Sequence, residues 1–237
     1  MRLYSLLIIL ACFCSQSASA HALWIETNST GKKGRAQEVR TYFGEFSEKD
    51  LSPAGKWFSD LGNFSLVAVA PDGTKTVLVA AESGDHYSAS FTPSQDGAYT
   101  IVAHHIAKDV YKGMKLDYNS GVTVIVGNDL KGNNALVNNN IVSLFSDSAF
   151  AFKHGKPAKV GAFYDARPAS RQEVKVVAPN GWEKALYSNV SGEVTFTPLW
   201  SGTYLAEYTY TDKTPGDHNG KAYTETKKVA TFAFTVK

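Results

Sequence analysis

Six histidines hold most of the side-chain chemistry available to this chain of 237 residues: His21, His86, His104, His105, His154 and His218. Its two cysteines, Cys12 and Cys14, fall inside a segment laid out as a secretory signal peptide. Arg2 is the positive start, Leu6 to Cys14 is apolar, and Ser17-Ala18-Ser19-Ala20 offers small residues at the cleavage positions. Cleavage after Ala20 removes both cysteines, which leaves a mature protein without disulfides or thiolate metal sites. It also makes His21 the first residue, with a free α-amine (pKa roughly 7.7–8.0) beside an imidazole. Those two nitrogens can chelate one divalent ion, and copper and nickel favour such ligands.

The candidate ligand set is the His21 amine and imidazole, one of His104 and His105, and His218. An N-terminal His with a second His gives three nitrogens in a T, the histidine brace of copper proteins, a geometry that suits Cu(II) or Ni(II). His104 and His105 follow the apolar run Tyr99 to Ala103, and strand alternation points them to opposite faces. His105 shares the side of Tyr99 and Ile101; His104 takes the other. His218 lies in a hairpin-like loop, Thr214-Pro215-Gly216-Asp217-His218-Asn219-Gly220. His154 reads as a turn residue and His86 as the start of a strand. These ligands are far apart in the chain, so their spacing does not bear on whether they meet.

Other chemistries are poorly represented. There is no Gly-x-Ser-x-Gly, His-Glu-x-x-His, Walker loop or dinucleotide fingerprint, and Glu45 and Glu48 read as solvated loop charges. The sequence therefore reads as a non-enzyme. A net charge of +2 without a Lys/Arg cluster gives no basis for nucleic-acid binding. The leader's apolar run is too short to span a bilayer. Ile9-Leu10-Ala11-Cys12 loosely resembles a lipoprotein cleavage box, which makes lipid anchoring at Cys12 a minor alternative.

The elements that must position these residues are strands. From His21 onward, short alternating runs are broken by Pro71-Asp72-Gly73, Asp96-Gly97, Pro179-Asn180-Gly181 and Ser201-Gly202, with no long 3.6-residue apolar period. An internal repeat orders them. Val69-Ala70-Pro71-Asp72-Gly73 matches Val177-Ala178-Pro179-Asn180-Gly181. Phe91-Thr92-Pro93 with Gly97-Ala98-Tyr99 matches Phe196-Thr197-Pro198 with Gly202-Thr203-Tyr204. Gly-x-Tyr entering a late strand resembles a tyrosine corner. The expectation is an all-β protein of two tandem immunoglobulin-like β-sandwich modules, residues 21–128 and 129–237, joined by a Gly/Asn-rich boundary at 127–140. Gly44 to Asn63 reads as a long loop with a helical turn near Ser52-Pro53, and Lys108 to Asn119 as a second loop.

The mature start, His21-Ala22-Leu23-Trp24-Ile25-Glu26, resembles that of the bacterial periplasmic family known as the NikM-like component of cobalt/nickel uptake. Tyr42-Phe43-Gly44-Glu45, Val69 to Gly73, Gly97 to Tyr99, Phe152 to Tyr164, His218-Asn219-Gly220 and Val229 to Phe232 are similar too, so the resemblance covers nearly all of the mature chain. It implies a periplasmic two-module protein that handles nickel or cobalt and passes it to a membrane transporter. His21 is then the best ligand, His218 the next, and His104-His105 a weaker transfer. Two alternatives compete with this reading. One is a metal-free module that binds carbohydrate or protein, with Trp57, Trp182 or Trp200 stacking on sugar; the other is a copper oxidase with its brace at His21.

Overall fold

The structure is a computed structural model that describes residues 21–237. The signal segment, the Cys12 alternative and the cleavage motif lie outside the described residues. The protein is all-β, built from packed sheets joined by turns and a few 3-10 turns. The first half supplies β1 (Ala22–Glu26), β2 (Thr30–Gly31), β3 (Gln37–Glu45), β4 (Asp50–Leu51), β5 (Ser65–Val69), β6 (Lys75–Val77), β7 (Ala81–Ser83), β8 (His86–Phe91), β9 (Gly97–Ile106) and β10 (Met114–Val126). The second supplies β11 (Val142–Phe145), β12 (Ala158–Tyr164), β13 (Arg167–Pro168), β14 (Glu173–Val177), β15 (Glu183–Tyr187), β16 (Glu193–Phe196), β17 (Gly202–Asp212), β18 (Gly216–His218), β19 (Lys221–Tyr223) and β20 (Glu225–Val236).

The repeat is visible as repeated hydrogen bonds. In the β5–β6 turn, Ala70 N–H donates to Thr74 O and Gly73 N–H to Ala70 O. In the β14–β15 turn, Ala178 N–H donates to Trp182 O and Gly181 N–H to Ala178 O. The second repeat block packs on the first. Gly97 (φ 127°) is so close to Pro71 that a Cβ there would lie 2.5 Å from Pro71 Cγ, and Gly202 (φ 129°) stands 2.9 Å from Pro179 Cγ in the same sense. Both tyrosines serve as corners: Tyr99 Oη accepts from the Ser94 and Gln95 N–H groups, and Tyr204 Oη accepts from Trp200 N–H and donates to Trp200 O.

Each half has its own core. One gathers Leu23, Val39, Phe43, Leu61, Ile101 and Val124; the other gathers Val160, Val176, Tyr204, Tyr208 and Phe232. The halves are nevertheless fused. A nine-stranded sheet runs β15-β14-β17-β20-β10-β9-β5-β6, with β2 also on β10. At its centre, β10 and β20 pair in parallel from Met114–Glu225 to Ser120–Thr231. This corrects the reading of 108–119 as a loop: residues from Met114 onward are strand, and they form the seam. Asp117 and Asn119 hid it, because they are polar yet buried at 5% and 1% exposure, which erases the usual alternation. The Gly/Asn-rich boundary folds back on the sheet, where Asn140 Nδ2 donates to Ala103 O.

The smaller sheet, β1-β3-β8-β7 with β4 beside β3, meets this seam through its edge strand β1. Ile25 N–H donates to Ser120 Oγ, and Thr231 Oγ1 donates to Leu23 O at 2.6 Å. One face of β1 sends Leu23 and Ile25 into the first core. The other sends Trp24 against Val177, Leu205 and Ala233 of the second half.

Candidate functional site

His21 stands at the head of β1. It is exposed, whereas the next four residues, Ala22 to Ile25, are all buried. Its ring leans on Phe43, with centroids 5.5 Å apart. The β1–β3 register pairs Ala22 with Gly44, which sets His21 at the level of Glu45. His21 is thus held at the head of a strand clamped on both faces and along its edge.

The other predicted ligands do not join it. His105 faces the side of Tyr99 and Ile101, as the alternation requires, and its Nε2 lies 2.9 Å from Asp60 Oδ1. His104 faces the opposite side, with Nε2 3.0 Å from Asp117 Oδ1. It borders a cleft of about 580 Å³ together with Asp117, Asn140, Ile141 and Lys228. His218 lies in the β18–β19 hairpin, as expected, but the hairpin clasps the first half. His218 Nε2 is 3.0 Å from Ala107 O and 3.2 Å from Asn219 Nδ2. Asn219 Nδ2 donates to Lys108 O, and Lys221 Nζ pairs with Asp109. Among the described residues, no three His, Cys, Asp or Glu side chains form a group that could hold a metal ion. The four histidines His21, His104, His105 and His218 are therefore placed at separate sites, each with its own neighbours. The alternation showed why His104 and His105 part; the positions of the others depend on loop paths.

Two carboxylates near β1 were not singled out by the sequence. Glu45, read as a solvated loop charge, is buried at 5% exposure and accepts from Ser47 Oγ. Glu207 lies on β17 opposite Thr231, beneath the smaller sheet. Burial pushes its carboxyl above the usual carboxylate range, the charges of Glu45 and Glu183 add to that, and Lys175 opposes it. Lys175 Nζ is only loosely placed for the task, 3.8 Å from Glu207 and 3.9 Å from Glu183. No motif flags Glu207; its signal is a charge in the middle of a strand rich in Tyr and Thr.

The aromatic residues also sort themselves. Trp57 is buried in the first core, with Nε1 donating to Ser52 O, so it has no free face for a sugar. Trp182 is 44% exposed and lies beside Trp200, with centroids 5.9 Å apart. No helix among the described residues is long and apolar enough to cross a membrane. The chain matches no known family model and no curated protein.

Proposed function

We propose that the mature protein is a periplasmic transition-metal-binding protein, an accessory of nickel or cobalt uptake, which holds its ion through the amine and imidazole of His21. One observation carries this reading: an exposed histidine heads a strand whose next four residues are buried. A chelate on such a strand is pre-organised, so little conformational freedom is lost on binding. The mechanism is coordination rather than catalysis. The amine and imidazole bind in their neutral forms, so binding releases protons and affinity falls as pH drops. Delivery to a membrane transporter fits an ion held at an accessible chain end. The tyrosine corners support reading both halves as immunoglobulin-like. The separation of His104, His105 and His218 from His21 favours a site confined to the N-terminus.

The test is mass spectrometry of protein from its native envelope, then titration of that form and of His21→Ala with Ni(II), Co(II) and Cu(II). A mass beginning at His21, with binding lost in the variant, supports the reading. A start at lipidated Cys12, or equal binding by the variant, refutes it. A metal-free carbohydrate-binding role would instead rest on Trp182 and Trp200, and quenching of tryptophan fluorescence by oligosaccharides would reveal it.

A further inference from the structure

We infer that the cleft beside His104 binds a small organic anion with an apolar body, of which a medium-chain monocarboxylate is the simplest example. This binding is independent of any ion at His21. Alternation gives the nine-stranded sheet two unlike faces. Leu66, Ile101 and Tyr118 enter the first core from one of them. Val67, Val102, His104, Asp117 and Lys228 line the cleft on the other. Further along, this second face sends Tyr208, Ala230 and Phe232 into the second core. The sheet β11-β12-β13 packs there, with β11 against β20, β10 and β17. The cleft opens beside that cover, and Asn140 and Ile141 form its wall. Its volume of about 580 Å³ falls in the roughly 300–1,000 Å³ range of small-molecule sites.

The floor is apolar where the fold does not require it. Strand pairing sets Val77, Val67 and Val102 in one row across β6, β5 and β9. The repeat carries Val69 to Val177 and Gly97 to Gly202, so the matching row in the second half is Ala185, Lys175 and Glu207. Those three residues do pair across β15, β14 and β17. The same register thus accepts a charged pair where the first half has Val67 and Val102. Val77, which extends the row to the sheet edge, is 73% exposed. An open sheet face ordinarily alternates to polar residues, and an apolar run on one marks a binding surface.

The far end of the cleft is polar and cationic. Lys228 pairs in register with Asp117, and His104 with Ser65. His104 Nε2 lies 3.0 Å from Asp117 Oδ1, which also accepts from Asn119 Nδ2 at 3.0 Å. The Asp117 side chain is 7% exposed and that of His104 39%, so a buried carboxylate orients a ring that a ligand can reach. Lys75 and Lys228 line the cleft too, and Asp117 is the one acid among its described lining residues. The charge of Lys228 is also felt by Asp212, which lies outside that lining. A carboxylate at this end meets the Lys228 ammonium and the His104 ring, while its chain lies along Val67 and Val102.

The experiment titrates the protein with decanoate, decanol and decyltrimethylammonium, reading affinity by calorimetry and the His104 ring signals by NMR. Decanoate should bind and shift the His104 signals. Decanol should bind about 10- to 100-fold more weakly, and the cation not at all. Lys228→Gln should weaken decanoate binding by about the same factor. Val67→Lys combined with Val102→Glu, which installs the second half's pair, should abolish it. Should that double variant fail to fold by circular dichroism, Val102→Thr carries the floor test, with a loss of several-fold. No decanoate binding at millimolar concentration, equal binding of decanol, or wild-type affinity in Lys228→Gln overturns the inference. Undiminished binding by the folded double variant, or by Val102→Thr in its place, puts decanoate elsewhere and overturns it too.

Discussion

Replacing Trp24 by alanine should both destabilise the protein and loosen β1. Trp24 is 1% exposed. Its ring stacks on Tyr42 and meets Phe46 edge-on, each with centroids 5.5 Å apart, and Nε1 donates to Glu26 at 2.9 Å. Across the interface it covers Val177, Leu205 and Ala233. A buried tryptophan hides on the order of 200 Å², which at about 25 cal/mol per Å² corresponds to about 5 kcal/mol. Alanine keeps the Cβ, and the site relaxes only partly, so a loss of about 4 kcal/mol is expected. With a urea m-value of about 3 kcal/mol per M, the midpoint should fall by roughly 1.3 M. Far-UV circular dichroism in urea measures this, and Trp57, Trp182 and Trp200 remain as fluorescence probes. One transition shifted to lower urea, seen alike by both probes, would show that the seam still couples the halves. Two separated transitions would mean that Trp24 supplies the coupling. A loss under about 1 kcal/mol would refute the assignment of Trp24 as the interface anchor. Because Trp24 holds β1 down, the proposed function also predicts weaker ion binding at His21 in the variant.

Two further outcomes follow from the packing. Gly202→Ala should cost about 2–3 kcal/mol, since it adds a Cβ at φ 129° and 2.9 Å from Pro179 Cγ, whereas Gly73→Ala, with open space around it, should cost about 1–2 kcal/mol. Equal shifts in thermal midpoint would refute the Gly–Pro contact. The Tyr208 hydroxyl is buried without a partner, and burial, helped by Tyr210 and Tyr164, pushes it up to about 12. Its contribution to stability is complete below the unfolded value of about 10 and is lost as pH rises from there towards 12. Tyr208→Phe should thus be near neutral at pH 7 and spare about 2–3 kcal/mol of alkaline destabilisation, read from urea midpoints between pH 9 and 12. An unchanged alkaline loss would refute this.

Local patterns made much of the fold legible. Val69 to Gly73 and Val177 to Gly181 are both hairpin turns, because Pro-Asp-Gly and Pro-Asn-Gly favour the same turn wherever they stand. Tyr99 and Tyr204 both act as corners, and alternation alone sent His104 and His105 to opposite faces. What failed to show was everything that depends on distant partners. The parallel pairing of β10 with β20 joins residues about as far apart as Ser120 and Thr231, and its buried Asp117 and Asn119 carry the polar signature of a loop. Likewise, Glu45 reads as a loop charge until the β1–β3 register and Glu207 surround it. His21 stood out in the sequence because it follows a segment laid out as a cleavage motif. Its neighbours, and the parting of His218 from it, were decided only when hairpins and seam closed. Short-range backbone preferences are encoded residue by residue, whereas the meeting of side chains from separate strands depends on the whole packing.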